Sequence, residues 1–354
     1  MFDPLFCPYR HCSNHNDPER GFYIRRGTYK PKCRPCPVQR YQCRACRRFF
    51  SRQTFRTDFR DHKPHLNGPV FELLMSGVGL RQTARVLSLS RRCTELKFRK
   101  LGRHLRQLNL NLRWQITGNA RLHFDEFETY EGQRGVRPLT IAVLLDSETR
   151  YIIWAESAPI RPHGKLTPRR RRLIDKSEKW HGKRPNGSKH AVRRTLRRGA
   201  DLVKQALQVR FESDEKSTYP KLARQAFGRA RLDHVQTNSK LARGNWNPLF
   251  PVNHEEAIMR DLMGRLRRES WLVSKSRRYL DIALQMHIAY RNFVRRRFNR
   301  DKESPAQLLG FTSRRLTVQE LLSWKQVWGK RSPHPLTRFG TSVEDWESTA
   351  ALAS

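Results

Sequence analysis

The chain has 354 residues, of which 37% are hydrophobic and 29% are charged. This composition excludes a disordered chain and indicates about two to three folded domains. No run of 18 apolar residues is present, which excludes a membrane-spanning helix. The 72 Lys and Arg residues against 32 Asp and Glu give a formal net charge of +40. Because so large an excess repels itself unless a polyanion neutralises it, we expect a nucleic-acid partner.

Six of the seven cysteines are crowded into residues 7–46. Residues 1–8 lack the charged start and apolar stretch of a signal peptide. We therefore expect a cytoplasmic protein whose cysteines bind metal instead of forming disulfides. Zinc prefers four soft ligands in a tetrahedron, and two close cysteine pairs joined by a hairpin supply them, so residues 1–55 are predicted to form a zinc ribbon. The favoured ligands are Cys7, Cys12, Cys43 and Cys46, and the alternatives are Cys33 and Cys36.

Residues 56–118 are predicted to be a helical DNA-binding domain. The segment from Ser76 to Ser90 favours a helix-turn-helix, with a first helix at about 80–87 and a second at about 91–101. Ala84 is small enough for the two helices to approach closely, and Ser90 can cap the second helix. A basic second helix suits the major groove of DNA. The basic residues expected to contact DNA are Arg81, Arg91, Arg92, Lys97, Arg99 and Lys100.

Beyond residue 118 the hydrophobic period alternates between that of strands and that of helices. The predicted strands are residues 121–130, 139–145, 150–156, 209–212 and 232–235. The predicted helices are residues 191–208, 219–227 and a long region at 253–297 with a break near Ser270. A basic insertion at 161–189 is too polar to be core. This order of elements predicts an RNase H-like α/β fold with a mixed sheet.

Embedded carboxylates are conspicuous in so basic a chain. Asp125 is at the centre of a predicted strand, and Asp214 directly follows another. Glu255 and Glu256 are near the start of the last long helix. Phosphodiester cleavage and strand transfer use two magnesium ions, which need hard oxygen ligands that converge from different elements. The sequence therefore predicts a carboxylate site of two aspartates and one helical acid.

The whole arrangement resembles bacterial insertion-sequence transposases of the DDE class, over roughly residues 5–300. The class combines an N-terminal zinc ribbon, a helix-turn-helix and an RNase H-like catalytic domain. The motifs that carry the resemblance are Arg40-Tyr41-Gln42-Cys43-Arg44-Ala45-Cys46 before Phe50-Ser51, Asp125-Glu126-Phe127-Glu128-Thr129, Ser213-Asp214 with Tyr219, and Asn253-His254 ahead of Arg265-Leu266-Arg267-Arg268.

The resemblance implies that Asp125 and Asp214 are the first and second catalytic acids. The third catalytic acid differs from the family pattern, because two glutamates and an asparagine are all candidates for this position. Glu256 is favoured, with Glu255 and Asn253 as alternatives, and these acids would bind Mg²⁺ or Mn²⁺. The implied reaction is hydrolysis of a phosphodiester at the ends of a mobile element, followed by strand transfer. The implied setting is double-stranded DNA, a homo-oligomer on that DNA, and the bacterial nucleoid.

The predicted organisation is a multidomain α+β protein. Its parts are a zinc module (1–55), a helix-turn-helix domain (56–118), a catalytic domain (119–300) and a helical extension with a tail (301–354). Other basic residues would hold phosphates or form a solvated loop, namely Arg169, Arg170, Arg171, Arg172, Arg193 and Arg194. For Trp154, Trp246 and Trp271, burial is favoured over stacking on bases.

Two other functions stay open at this point. One is a catalytically inactive DNA-binding regulator derived from a transposase, and the other is an RNA- or ribosome-associated zinc protein. Glu126 and Glu128 are interpreted as supporting residues.

Overall fold

The computed structural model describes residues 3–32, 36–111, 116–242, 244–267 and 270–326. These residues form a mixed α/β structure with a five-stranded mixed sheet and a separate small antiparallel sheet. No helix of the described residues is long and apolar enough to cross a membrane. The predicted tail beyond residue 326 lies outside the described residues.

The small sheet is formed by the cysteine-rich N-terminal segment. A short helix, α1 (Ser13–Asn16), precedes three strands, β1 (Tyr23–Tyr29), β2 (Val38–Cys43) and β3 (Phe49–Ser51). The strands are antiparallel in the order β1-β2-β3. So small a sheet has one apolar face, which Tyr41 and Phe50 form by stacking at 5.7 Å between ring centroids.

Three helices follow, α2 (Asn67–Leu74), α3 (Leu80–Val86) and α4 (Arg91–Asn111). The chain turns sharply between α3 and α4, where the backbone N–H of Leu89 donates to the carbonyl of Ala84 at 2.8 Å. The Ser90 hydroxyl accepts from the backbone N–H of Cys93 at 3.1 Å and so caps α4, as predicted. Helix α4 continues ten residues beyond its predicted end at residue 101.

The large sheet has the strand order β6-β5-β4-β7-β8. Its strands are β4 (Ala120–Tyr130), β5 (Pro138–Asp146), β6 (Ile152–Pro159), β7 (Val209–Asp214) and β8 (Leu232–Thr237). Strands β4, β5 and β6 pair antiparallel, whereas β7 and β8 pair parallel to β4 and to each other. All nine residues of β5 are buried, because helices cover both faces of the sheet.

One face of the large sheet packs against α6 (Ser188–Leu202) and α7 (Tyr219–Phe227). The other face packs against α8 (Phe250–Leu262) and α9 (Arg277–Phe293). The predicted long helix at 253–297 is therefore two helices with a wider break than expected. The predicted helix at 191–208 ends earlier, at Leu202.

The basic insertion contains a helix of its own, α5 (Pro168–His181). The Thr167 hydroxyl accepts from the backbone N–H of Arg170 at 3.3 Å, and Pro168 is at the first helical position. None of the described residues of α5 is buried, in agreement with the expectation that this segment is too polar for the core.

The C-terminal extension contains α10 (Pro305–Leu308) and α11 (Val318–Ser323) and packs against the N-terminal part of the chain. The ring of Trp324 meets His104 of α4 at 5.0 Å, and the backbone N–H of Gln326 donates to the carbonyl of Phe55 at 2.6 Å. One cluster of buried apolar residues consequently extends from Phe6 to Trp324. This cluster includes residues from all four predicted parts of the chain. The predicted domain boundaries stay predictions.

Candidate zinc centre and carboxylate site

The sulfur atoms of Cys7, Cys12, Cys43 and Cys46 all lie within 4.8 Å of one another. The Cys7 and Cys46 sulfurs are 3.7 Å apart, and those of Cys12 and Cys43 are 3.6 Å apart. A zinc tetrahedron with Zn–S bonds of about 2.3 Å has edges of about 3.8 Å, whereas a disulfide needs about 2.05 Å. The four thiols therefore fit a structural zinc ion, and the favoured ligand set is the one that converges.

Local backbone bonds hold this cluster together. The N–H of Cys7 donates to the carbonyl of Asn14 at 2.9 Å, and the N–H of Cys43 donates to that of Arg48 at 3.1 Å. Arg47, directly after the second pair, has a φ of 56° and closes the turn between the two ligands. Burial raises the pKa of the Cys7 thiol, so a cation is needed to hold this sulfur as a thiolate.

The alternative zinc ligands do not join the cluster among the described residues. Cys36 is exposed and outside the group of four, and Cys33 lies outside the described residues. His15 is buried beside the centre, with its Nδ1 2.6 Å from the carbonyl oxygen of Cys7. His15 therefore supports the loop that carries Cys7.

Asp125 and Asp214 are on neighbouring parallel strands. Strand β4 pairs with β7 so that His123 is opposite Glu212, and the same register continued by two residues places Asp125 opposite Asp214. Residues opposite each other in a sheet share a face. Asp125 is 9% exposed and Asp214 is half-buried. Continued in this way, the register places the two aspartates side by side on one face of the sheet, where β7 ends, and we call them the row of aspartates.

The helix α8 covers the face that carries this row. Alternation along β4 puts Asp125 and Phe127 on the same face, and the guanidinium of Arg260 from α8 lies 4.6 Å from the centroid of the Phe127 ring. Glu256 is one turn before Arg260, is 1% exposed, and has its Oε2 3.7 Å from the Arg260 Nη2. Glu256 also lines a cleft of about 590 Å³ with Phe127, Glu128 and Arg170, and neither Asp125 nor Asp214 is among the residues that line it.

The other candidates for the third acid differ from Glu256. Glu255 is fully buried and accepts a hydrogen bond from Arg291 Nε at 3.0 Å, with His287 Nε2 at 3.3 Å. Burial alone would raise the pKa of Glu255, but the charges of Arg291 and His287 hold it below its ordinary value. This carboxylate therefore joins α8 to α9 inside the core. Asn253 is half-buried.

Glu126 points to the opposite face, beneath the row of aspartates. Its Oε1 accepts from the hydroxyls of Ser188 at 2.8 Å and Thr140 at 3.1 Å. Its Oε2 accepts from the Tyr219 hydroxyl at 2.7 Å and from Lys216 Nζ. One carboxylate thus ties β4 to β5, α6, α7 and the loop that follows Asp214. Sequence reasoning named Glu126 as a supporting residue but missed these partners, because only the fold brings them together.

The hydroxyl of Tyr219 lies close to these acids and donates to Glu126. Burial, followed by the negative charges of Glu126, Asp214 and Asp125, raises the pKa of the Tyr219 hydroxyl far above its ordinary value. The hydroxyl stays a donor to Glu126 as a result.

The carboxylates are less converged than the cysteines. Within the described ranges, the four cysteines are the one group of three or more His, Cys, Asp or Glu whose ligand atoms all lie within 4.8 Å. Asp125, Asp214 and Glu256 share a face of the sheet without meeting that condition. Magnesium binding consequently stays a prediction.

The predicted DNA-contacting residues divide into two groups. Arg81, Arg91 and Arg92 are exposed, and Arg99 is half-buried. The expectation that α4 exposes Lys97 is wrong, because Lys97 is 4% exposed and its Nζ is 2.8 Å from the Asp61 carboxylate. The neighbouring Lys100 is also turned inward, and its Nζ donates to the carbonyl of Phe59.

The tryptophans also differ from expectation. Trp154 is buried, as predicted, but Trp246 and Trp271 are 98% and 94% exposed. A fully exposed indole forgoes a large burial gain, so apolar content alone gave the wrong prediction for these two residues. Among the predicted phosphate contacts, Arg194 is paired with Glu156 at 2.7 Å.

No family model and no curated protein matches this chain.

Proposed function

We propose that this protein is a DNA transposase that cuts and joins phosphodiester bonds with a carboxylate-bound pair of Mg²⁺ or Mn²⁺ ions. The observation that supports the proposal is that β4 and β7, which carry Asp125 and Asp214, are adjacent parallel strands, and that Glu256 is on α8, which packs against β4. Carboxylates from different elements on one face are what a divalent cation requires.

The order of elements supports the same proposal. Three antiparallel strands are followed by helix, strand, helix, strand and helix, which is the order of the RNase H-like fold that the resemblance implies. The basic insertion adds α5 to this order. The cysteine cluster and the α3–α4 pair precede the sheet in the order expected for a zinc ribbon and a helix-turn-helix.

Each part of the chain would have a distinct role in the reaction. Arg81, Arg91 and Arg92 would bind phosphates or base edges of duplex DNA. Asp125, Asp214 and Glu256 would hold the metal ions, and the bound ions would supply an activated nucleophile and stabilise the leaving oxygen. Glu126, the neighbour of Asp125 in β4, would position that strand relative to the loop that follows Asp214, since its carboxylate accepts from Lys216 in this loop.

The test is strand cleavage by the full-length protein on a plasmid that carries this coding sequence with its native flanking DNA. We expect Mg²⁺-dependent breaks at the two ends, and a loss of about 10³-fold in rate for Asp125→Asn or Asp214→Asn. The size follows because metal binding contributes several kcal/mol to the transition state. Asp201→Asn, which removes an exposed carboxylate from α6, is the matched control and should cleave normally.

The same assay identifies the third acid and the second candidate function. Glu256→Gln should reduce cleavage about as much as Asp125→Asn, whereas Glu255→Gln should lower stability first, because its carboxylate pairs with Arg291 in the core. A regulator without catalytic activity is the second candidate, favoured by the incomplete convergence of the three acids. Specific DNA binding without breaks, or breaks that survive Asp125→Asn, would refute the catalytic proposal.

A further inference from the structure

A groove of about 790 Å³ lies between α3, the start of α4 and the segment at residues 271–279. Its walls are largely apolar and include Leu74, Met75 and Phe98. Trp271 is at its edge with 94% of its surface exposed. An indole beside a concave apolar surface offers a large flat face that a ligand can cover.

The rim of this groove is positively charged. Arg81, Arg85, Arg91 and Lys275 line it and are all exposed. The acidic side chain among the described lining residues is Glu95, which already accepts a hydrogen bond from the Tyr279 hydroxyl. The groove therefore combines an apolar interior with a field that attracts an anion.

A half-buried cation, Arg265, is among the residues that line the same groove. The guanidinium of Arg265 is 5.0 Å from the Phe98 ring centroid and 5.7 Å from that of Tyr279. Burial lowers the pKa of Arg265 to about 10. Within the part of the chain that the structure describes, no carboxylate forms an ion pair with it. A partly desolvated cation without a counter-charge is stabilised by an anion that enters the groove.

We propose that this groove binds an unpaired nucleotide of a DNA strand, with its base stacked on Trp271 and its phosphate paired with Arg265. Stacking aromatics beside basic groups are the features that bind single strands without sequence preference. The inference rests on the proposed function, because the α3–α4 pair would hold the adjoining duplex. A second copy of this chain is a poorer occupant, since it also carries a net charge of +40 and would meet the same positive rim.

The test compares two labelled DNA duplexes of the same sequence at matched salt, one blunt and one with a short single-stranded overhang. Fluorescence anisotropy with the full-length protein measures both affinities. Trp271→Ala should weaken overhang binding about ten-fold and leave blunt-duplex binding unchanged. Trp271→Phe should be intermediate. Trp246→Ala, which removes an equally exposed indole outside the groove, is the matched control and should change neither affinity.

Arg265 is tested by the salt dependence of the same binding. Arg265→Met should reduce the dependence of overhang affinity on salt by about one phosphate contact. Equal losses on both duplexes for Trp271→Ala, or no loss on either, would overturn the proposal. Self-association that Trp271→Ala abolishes without changing DNA binding would also overturn it, in favour of a second copy. A protein that passes this test but never cleaves DNA would refute the proposed catalysis and leave the nucleotide site standing.

Discussion

The two candidate metal sites of this molecule are built in opposite ways. The cysteine site draws Cys7 and Cys12 from the segment before β1 and Cys43 and Cys46 from the end of β2 and the turn after it, and its sulfurs all lie within 4.8 Å of one another. The carboxylate site draws its members from β4, β7 and α8, and Asp125 and Glu256 are 131 residues apart in the chain. Short turns of the chain bring each cysteine pair together. The carboxylates depend on the pairing of strands that are far apart in the sequence.

This difference predicts different roles for the two proposed metals. A converged, buried set of thiols can bind zinc as part of the folded structure, where the ion would replace core that so small a sheet cannot supply. Carboxylates that share a face without converging would hold the proposed magnesium ions only weakly. Removal of zinc should therefore damage the fold, and removal of magnesium should affect activity alone.

The largest effect is expected for zinc. Cys43→Ser should reduce the zinc content from about one ion per chain and lower the thermal midpoint strongly, because structural zinc sites contribute apparent binding energies of about 10–16 kcal/mol. Elemental analysis and thermal unfolding measure both. Cys36→Ser, at an exposed cysteine outside the cluster, should change neither. Magnesium should shift the midpoint far less, and an equal shift would contradict the contrast between the two sites.

The next largest effect separates stability from DNA binding in the α3–α4 region. Lys97→Met should cost about 3–5 kcal/mol of unfolding free energy, because it leaves the half-buried Asp61 without its partner. Arg91→Met, at an exposed position, should change stability by less than about 0.5 kcal/mol but reduce the salt dependence of duplex binding by about one contact. Denaturant unfolding and DNA titration measure the two quantities. Normal stability in Lys97→Met would show that the Lys97–Asp61 ion pair contributes little to the free energy of unfolding.

How much could be predicted from the sequence depends on how local each feature is. The strand with Asp125 was predicted within one residue of its observed start, because apolar residues recur along it with the period of a strand. The four cysteines favoured as zinc ligands from their spacing do lie together, since each pair is close in the chain. The capping role of Ser90 likewise needs only its neighbours.

The failures involve contacts between distant segments. Lys97 was expected to face DNA, but its partner Asp61 is 36 residues away. Helix α4 is predicted to end near Leu101, but it continues through Gly102, where Ile282 of α9 approaches closely. No local pattern reports either contact. The row of Asp125 and Asp214 needed the strand register for the same reason, although each aspartate was named beforehand.

A third, smaller effect concerns pH at the junction between α4 and the C-terminal extension. Burial lowers the pKa of His104 to about 4 from an ordinary 6.5. Because the folded pKa is the lower one, the stabilisation is present above pH 6.5 and is lost as pH falls towards 4. The loss should be roughly 3 kcal/mol across that window. His104→Phe should flatten this part of the stability curve, and the exposed His62→Phe should not. An unchanged slope in His104→Phe would assign the acid sensitivity to other groups, such as His123, whose pKa burial also lowers.

The smallest effect is expected at the contact between α4 and α9, the helix that packs against the large sheet. A Cβ added at Gly102 would lie 2.2 Å from the Cγ2 of Ile282 and 2.9 Å from its carbonyl oxygen. The backbone oxygen cannot move aside cheaply, so Gly102→Ala should lower the unfolding free energy by about 1–3 kcal/mol. Gly68→Ala in α2 is the matched control, because a Cβ added there has no other atom within 4 Å, and it should raise stability by about 0.5–1 kcal/mol.

If Ile282→Ala restores part of the stability lost in Gly102→Ala, the strain lies at the α4–α9 contact. If Gly102→Ala instead behaves like Gly68→Ala, the two regions are packed more loosely than this contact requires, and DNA held by α3 and α4 would have no fixed orientation towards the aspartates.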